Sequence, residues 1–204
     1  GETEFEYLYD NTEFTKNVTV KATFEPTVGS GFEACSAEDS EFNVAKLNTT
    51  VEIVSGSPVA HNATNATVTL KNKTADGVVH ETVPGETIYV TIVDANGHTL
   101  VDNKPFVTGD DGTVNVTYTP VDGSELTFTV NYPGNDEVYN GNDTTIKANP
   151  SGMGTTLVVT PANTTINDTS RVVIDAADLN GNPVNGTVTL TFINKETGLT
   201  EFTR

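Results

Sequence analysis

Apolar and polar residues alternate with a period of two along most of the chain. In "ETIYVTIVD" the apolar positions are Ile88, Val90 and Ile92; in "GTVNVTYTP" they are Val114, Val116 and Tyr118. Leu126, Phe128, Val130 and Tyr132 continue the pattern in "ELTFTVNYPGN". A period of two puts every second side chain on one face, which suits a half-buried strand and not a helix. Between these runs lie turn formers: "DANGH", "TGDDG", "PVDGS", "PGND", "YNGND" and "DLNGNP". Asn, Asp and Gly tolerate left-handed backbone, so each cluster predicts a tight reversal. The pattern therefore predicts an all-β chain without helices.

Short strands spaced by turns predict tandem antiparallel β-sandwiches of immunoglobulin-like type. Internal similarity then divides the chain. "TTVEIVS" and "TTLVVTP" both read as opening strands. Val172, Ile174, Ala176 and Asp178 repeat the phase of Ile88, Val90, Ile92 and Asp94, and both runs enter a D-x-N-G turn. Residues 45–150 read as one complete domain, with "NATVTLKNKTADGVVHET" as a hairpin inserted ahead of the Ile88 strand. Residues 151–204 read as the front half of a second domain, with a strand through Val188, Leu190 and Phe192. Residues 1–44 read as a back half. Phe5, Tyr7 and Tyr9 match Val114, Val116 and Tyr118, while Val18, Val20, Ala22 and Phe24 match Leu126, Phe128, Val130 and Tyr132.

Placed end to beginning, "EFTRGETEFEYLYD" parallels "PFVTGDDGTVNVTYTP". The two halves are thus expected to complete one domain, residues 1–44 of one unit packing on residues 151–204 of a neighbouring unit. Such a contact is heterologous and does not close, so its repetition builds a filament.

Composition narrows the setting. Ten Lys and Arg against 28 Asp and Glu give a formal charge of −18, which excludes a surface for nucleic-acid phosphates. No apolar run approaches the roughly 20 residues that span a bilayer, so no direct membrane span is expected. Of 21 Asn, ten open an N-x-Thr sequon: Asn17, Asn48, Asn62, Asn65, Asn72, Asn115, Asn142, Asn163, Asn167 and Asn185. Part of that density follows from Thr in strands and Asn in turns. N-linked glycans are the functional reading, and they imply an extracellular, cell-surface protein.

Candidate chemistry is sparse. His61, His80 and His98 fall at no metal-ligand spacing, and no nucleophile or zinc motif is present, so the chain is not expected to be an enzyme. Oxygen donors cluster in turns at Asp94 with Asn96, Asp110 with Asp111, and Asp178 with Asn180 and Asn182. They are either turn caps or ligands for calcium, the one cofactor considered. Cys35, the single cysteine, is either a spectator or an intermolecular thiol.

The D-x-N-G turn after an alternating strand, the "GDDGTVNVTYTP" edge and "FTVNYPGNDEVYNG" resemble the bacterial and archaeal immunoglobulin-like repeat domains. These recur in adhesin-like surface proteins, particularly of methanogens. The resemblance implies a structural repeat or subunit of an extracellular fibre, sheath, surface layer or stalk. The alternative it leaves is an adhesin module for host or partner-cell glycans, with Tyr139 in "DEVYNGND" as the candidate exposed aromatic.

Overall fold

A computed structural model describes residues 2–7, 17–73 and 77–203. Its N-terminal hairpin is β1 (Asn17–Phe24) with β2 (Cys35–Asn43). Eight strands follow: β3 (Asn48–Val54), β4 (Thr64–Lys73), β5 (Val79–Thr82), β6 (Thr87–Asp94), β7 (Thr99–Val107), β8 (Thr113–Tyr118), β9 (Leu126–Gly134) and β10 (Asn140–Ala148). Four short strands end the chain: β11 (Thr155–Pro161), β12 (Val172–Asp178), β13 (Thr191–Ile193) and β14 (Thr200–Thr203). All ladders between these strands are antiparallel, and no helix occurs among the described residues. The chain divides into two compact units, residues 1–151 and 152–204.

In the first unit, β3 to β10 form a two-sheet sandwich. One sheet runs β10-β9-β6-β7; in the other, β4 is flanked by β3 on one side and by β8 and β5 on the other. Ile88, Val90 and Ile92 of β6 and Leu126, Phe128, Val130 and Tyr132 of β9 are the inward positions of their sheet, each at most 1% exposed. Across from them lie Ala66, Val68 and Leu70 of β4 and Val114, Val116 and Tyr118 of β8. The alternation read from the sequence is therefore the alternation between this core and solvent. One edge is closed where the first strand meets the last. A parallel bridge joins Leu47 to Tyr139, the Thr49 hydroxyl donates to the Asn140 carbonyl at 2.8 Å, and Val51 N donates to Asn142 Oδ1 at 3.3 Å.

Two features differ from the sequence reading. β4, within the segment read as an inserted hairpin, is not an addition to the sandwich. β5 does pair with β4, but β4 is the central strand of its sheet and Leu70 is fully buried. The second difference concerns β12, whose D-x-N-G turn suggested equivalence with β6. It pairs instead with the strand before it, β11, as β4 pairs with β3, whereas β6 pairs with β7 and β9. Turn chemistry is local, and the same turn can end strands in different sheets.

Outside the sandwich the strands come in pairs among the described residues. β1 pairs with β2, β11 with β12 and β13 with β14, each as a two-stranded sheet. Of the segment through Val188, Leu190 and Phe192, only Thr191–Ile193 is strand. β6 is held on both sides by neighbours; among the described residues β13 has one strand neighbour, β14. Several apolar residues of these pairs are exposed, Val20 and Phe24 in the first unit and Leu157, Val159, Phe192 and Ile193 in the second. Those of β12 are half-buried; Phe5, ahead of β1, is exposed too. Tyr9 of the alternating N-terminal run lies outside the described residues.

Candidate functional site

Each D-x-N-G turn is built from its first residue. Asp94 ends β6 and is buried, with its side chain 1% exposed. Its Oδ1 accepts from Asn96 N at 2.9 Å and His98 N at 2.8 Å, and its Oδ2 meets His98 Nδ1 at 2.7 Å. Asp178 repeats the arrangement: Oδ1 accepts from Asn180 N and Asn182 N, both at 2.8 Å, and Oδ2 accepts from Asn182 Nδ2 at 3.0 Å. Asp111 accepts from Thr113 N at 3.0 Å and the Thr113 hydroxyl at 2.8 Å. Asn96 turns its amide outward, donating to Asp122 and Ser124. The carboxylates thus serve as caps for turn N–H groups. Asp110 is exposed beside Asp111. Among the described residues, no group of three or more His, Cys, Asp and Glu is placed to hold a metal ion.

The Asp94 cap carries a pH dependence. Burial, the largest single influence, pushes its carboxyl up. The His98 N–H, the His98 ring and the Asn96 N–H together outweigh burial, so Asp94 ionises below the usual carboxylate range. A folded-state pKa below the unfolded value gives stability that is complete above pH 4 or so. It is lost as the pH falls through the depressed folded value. Asp94→Asn is therefore expected to lower the urea midpoint at pH 7 and to flatten its fall as the pH drops below about 4. Equal acid limbs for the two proteins would remove Asp94 from that account, leaving it to Asp111 and Asp122, whose carboxyls hydrogen bonds also hold low.

The sequons fall into two groups. Asn48, Asn62, Asn163, Asn167 and Asn185 are exposed. Asn65 and Asn115 are exposed too, but their Oδ1 atoms accept across the β4–β8 ladder, from the Thr117 hydroxyl at 2.7 Å and the Thr67 hydroxyl at 3.0 Å. Each of these two sequons thus satisfies the other. Asn72 and Asn142 are half-buried and hold Glu81 N and Val51 N respectively. Asn17 opens β1. These hydrogen bonds were not visible in the N-x-Thr pattern, because strand register sets them.

Of the histidines, only His98 enters a turn cap; His61 has left-handed backbone (φ 63°), and His80 lies at β5. Tyr139 is half-buried and packs on the core beside the Leu47 bridge, so it presents no aromatic platform. Tyr132 is enclosed. Its Oη makes no hydrogen bond by distance and angle, while burial and then the nearby Glu86 carboxylate raise the phenol far above its ordinary pKa.

The described residues include an apolar groove in each unit. The first is lined by Thr3, Phe5, Ala22, Phe24, Cys35 and Ala37. Cys35 is exposed there, directly opposite Phe24 in the β1–β2 ladder and so on the same face. The second is lined by Ile174, Ala176, Pro183, Val184 and Val188. Each groove is the apolar face of a strand pair that the sequence reads as half a domain. No family model matches the sequence, and no curated protein matches it.

Proposed function

We propose that the chain is a structural repeat or subunit of an extracellular fibre, sheath, surface layer or stalk. Its units assemble head-to-tail, residues 1–44 of one completing residues 151–204 of the next. The observation that carries this reading is register. β11–β12 has the register of β3–β4: Thr155 faces Asp178 as Thr49 faces Asn72, and Leu157 faces Ala176 as Val51 faces Leu70. β1–β2 has that of β9–β10: Phe24 faces Cys35 as Tyr132 faces Asn142, and Ala22 faces Ala37 as Val130 faces Thr144.

β13–β14 has the register of β6–β7, including the irregularity just before the turn. Phe192 faces Phe202 as Ile92 faces Val101, and Ile193 faces Thr200 as Val93 faces Thr99. The turns are both capped by their first residue, at positions two and three on after Asn194 and two and four on after Asp94. Asn194 Oδ1 accepts from Glu196 N and Thr197 N, as Asp94 Oδ1 accepts from Asn96 N and His98 N. The flanking pairs are therefore three successive hairpins of one sandwich, divided between the two ends of the chain.

The strand order of the middle sandwich supports an immunoglobulin-like assignment. Its first, second and fifth main strands oppose a sheet of the third, fourth, sixth and seventh, once the short β5 is set aside. The exposed sequons and acidic surface support a glycosylated, cell-surface setting. Joining two copies end to end in one polypeptide tests the reading. We expect a second cooperative, protease-resistant sandwich at the junction, and sugar mass on native glycopeptides from Asn62, Asn163 or Asn167. A junction as protease-sensitive as the free ends would overturn the half-domain reading.

A further inference from the structure

An N-linked sugar is carried by the Nδ2 of asparagine, while Oδ1 takes no part in the bond. The structure treats these two atoms differently. Five sequons of the middle sandwich accept hydrogen bonds through Oδ1: Asn48 from Asn140 Nδ2, Asn65 from the Thr117 hydroxyl, Asn72 from Glu81 N, Asn115 from the Thr67 hydroxyl and Asn142 from Val51 N. By contrast, Asn96, Asn131, Asn135, Asn140 and Asn182, which open no sequon, all use Nδ2 as a donor.

Strand phase then divides the sequons. Asn65 and Asn115 alternate with the buried Ala66, Val68, Val114 and Val116, so both stand on the outer face of their sheet. Register sets Asn65 opposite Thr117 and Asn115 opposite Thr67. Each sequon's threonine therefore holds the oxygen of the other sequon's asparagine, and neither Nδ2 has a hydrogen-bond partner among the described residues. Asn48 is exposed on the same outer face, one residue before the buried Thr49.

Asn72 and Asn142 have the opposite phase. Asn72 follows Ala66, Val68 and Leu70 along the inward side of β4, and its side chain also hydrogen-bonds to Tyr139. Asn142 shares the side of β10 from which Ile146 and Ala148 pack on the core, and its Oδ1 receives the Thr144 hydroxyl as well. Both are half-buried, so a sugar on either would have to displace a neighbouring element. Asn142 is the one sequon within the strands of sheet β10-β9-β6-β7, and the outer face of that sheet offers none.

We propose that the strand-borne N-glycans of the middle sandwich sit on one face only, the outer face of the sheet containing β4, at Asn48, Asn65 and Asn115. Asn72 and Asn142 stay bare. This rests on the glycoprotein reading and adds which sequons carry sugar. The sugar donor is a diphosphate-linked oligosaccharide. Its C1–O bond to phosphate breaks, an Nδ2–C1 bond forms, one Nδ2 hydrogen leaves as a proton, and the diphosphate departs. Oδ1 keeps its lone pairs throughout, so the bonds from Thr117 to Asn65 and from Thr67 to Asn115 persist in the glycosylated chain.

Site-by-site glycopeptide mapping of the native protein tests the sorting. Enzymatic release of the sugars in heavy-oxygen water marks each occupied asparagine as a labelled aspartate. We expect the combined occupancy of Asn65 and Asn115 to be at least several-fold that of Asn72 and Asn142. A smaller ratio, or bare asparagine at all four with sugar at Asn62, Asn163 or Asn167, would overturn the inference and leave the glycoprotein reading standing. Bare asparagine at every sequon would overturn that reading, and the inference with it. A second measurement separates geometry from the transferase's own preferences. Asn65→Cys, Asn72→Cys, Asn115→Cys and Asn142→Cys chains, each also Cys35→Ser, are coupled in urea to a maleimide-linked oligosaccharide and refolded. The adduct should leave the urea midpoint of the first and third unchanged and lower that of the second and fourth. Equal tolerance at all four positions would overturn the steric basis of the sorting.

Discussion

Phe128→Ala is expected to destabilise the middle sandwich by about 3–5 kcal/mol, the range for emptying a buried phenylalanine site. The ring is 1% exposed at the centre of the core. It meets Tyr118 edge-to-face, centroids 5.2 Å apart and planes at 82°, which adds about 0.5–1.5 kcal/mol to the area it buries. Tyr118 is itself fixed by its hydroxyl, which donates to the Ser55 carbonyl at 2.6 Å. The cavity would therefore be bordered by a ring that cannot swing to fill it without losing that bond. Val20 supplies the contrast. The sequence pattern matches it with Phe128, but it is half-exposed. Val20→Ala should change the stability of the dispersed chain by about 0.5 kcal/mol or less. Urea unfolding of both variants at low concentration measures the difference. Equal costs would mean that the hairpin is already buried within its own chain.

Where period-two patterning was strong, strands and facing were legible together. Ile88 to Ile92 and Leu126 to Tyr132 are buried at the alternate positions that the pattern assigns. The assignment of β4 failed for a particular reason. Ala66, Val68 and Leu70 alternate as clearly as any run, but the D-x-N-G turn that marks the resemblance between the two halves does not follow this strand. Pairing partners, which decide topology, are long-range and leave no local mark. The turn caps show the same limit. Acidic and amide residues at Asp94, Asn96, Asp178 and Asn180 could be read from the sequence as caps or as ligands. The donors that occupy their oxygens are backbone N–H groups, which have no sequence identity.

Gly112 is a position where backbone geometry admits little change, and Gly112→Ala is expected to cost about 2–5 kcal/mol, from two causes. The first is conformational. Its φ is +69°, in the left-handed region that costs an ordinary L-residue roughly 1–2 kcal/mol. The second is steric. A Cβ there would lie 2.5 Å from Thr82 Cβ, 2.9 Å from Val83 N and 3.1 Å from the Leu70 carbonyl oxygen. Two of those neighbours are backbone, so a flexible side chain cannot simply move aside, and overpacking of this kind costs about 1–3 kcal/mol. The site also joins three strands. The Gly112 carbonyl accepts from Leu70 N at 3.0 Å, and Val83 N donates to the Leu70 carbonyl at 2.9 Å. Displacing Gly112 should therefore loosen β4 against both β5 and β8. Gly97 separates the causes, because its φ is +87° but nothing lies within 4 Å of its would-be Cβ. Gly97→Ala should cost only the conformational part, about 1–2 kcal/mol. Urea midpoints of the two variants, with amide exchange at Leu70 and Val83, measure the difference. Indistinguishable midpoints, with those two amides still protected, would mean that the close approach of Thr82 and Val83 contributes nothing.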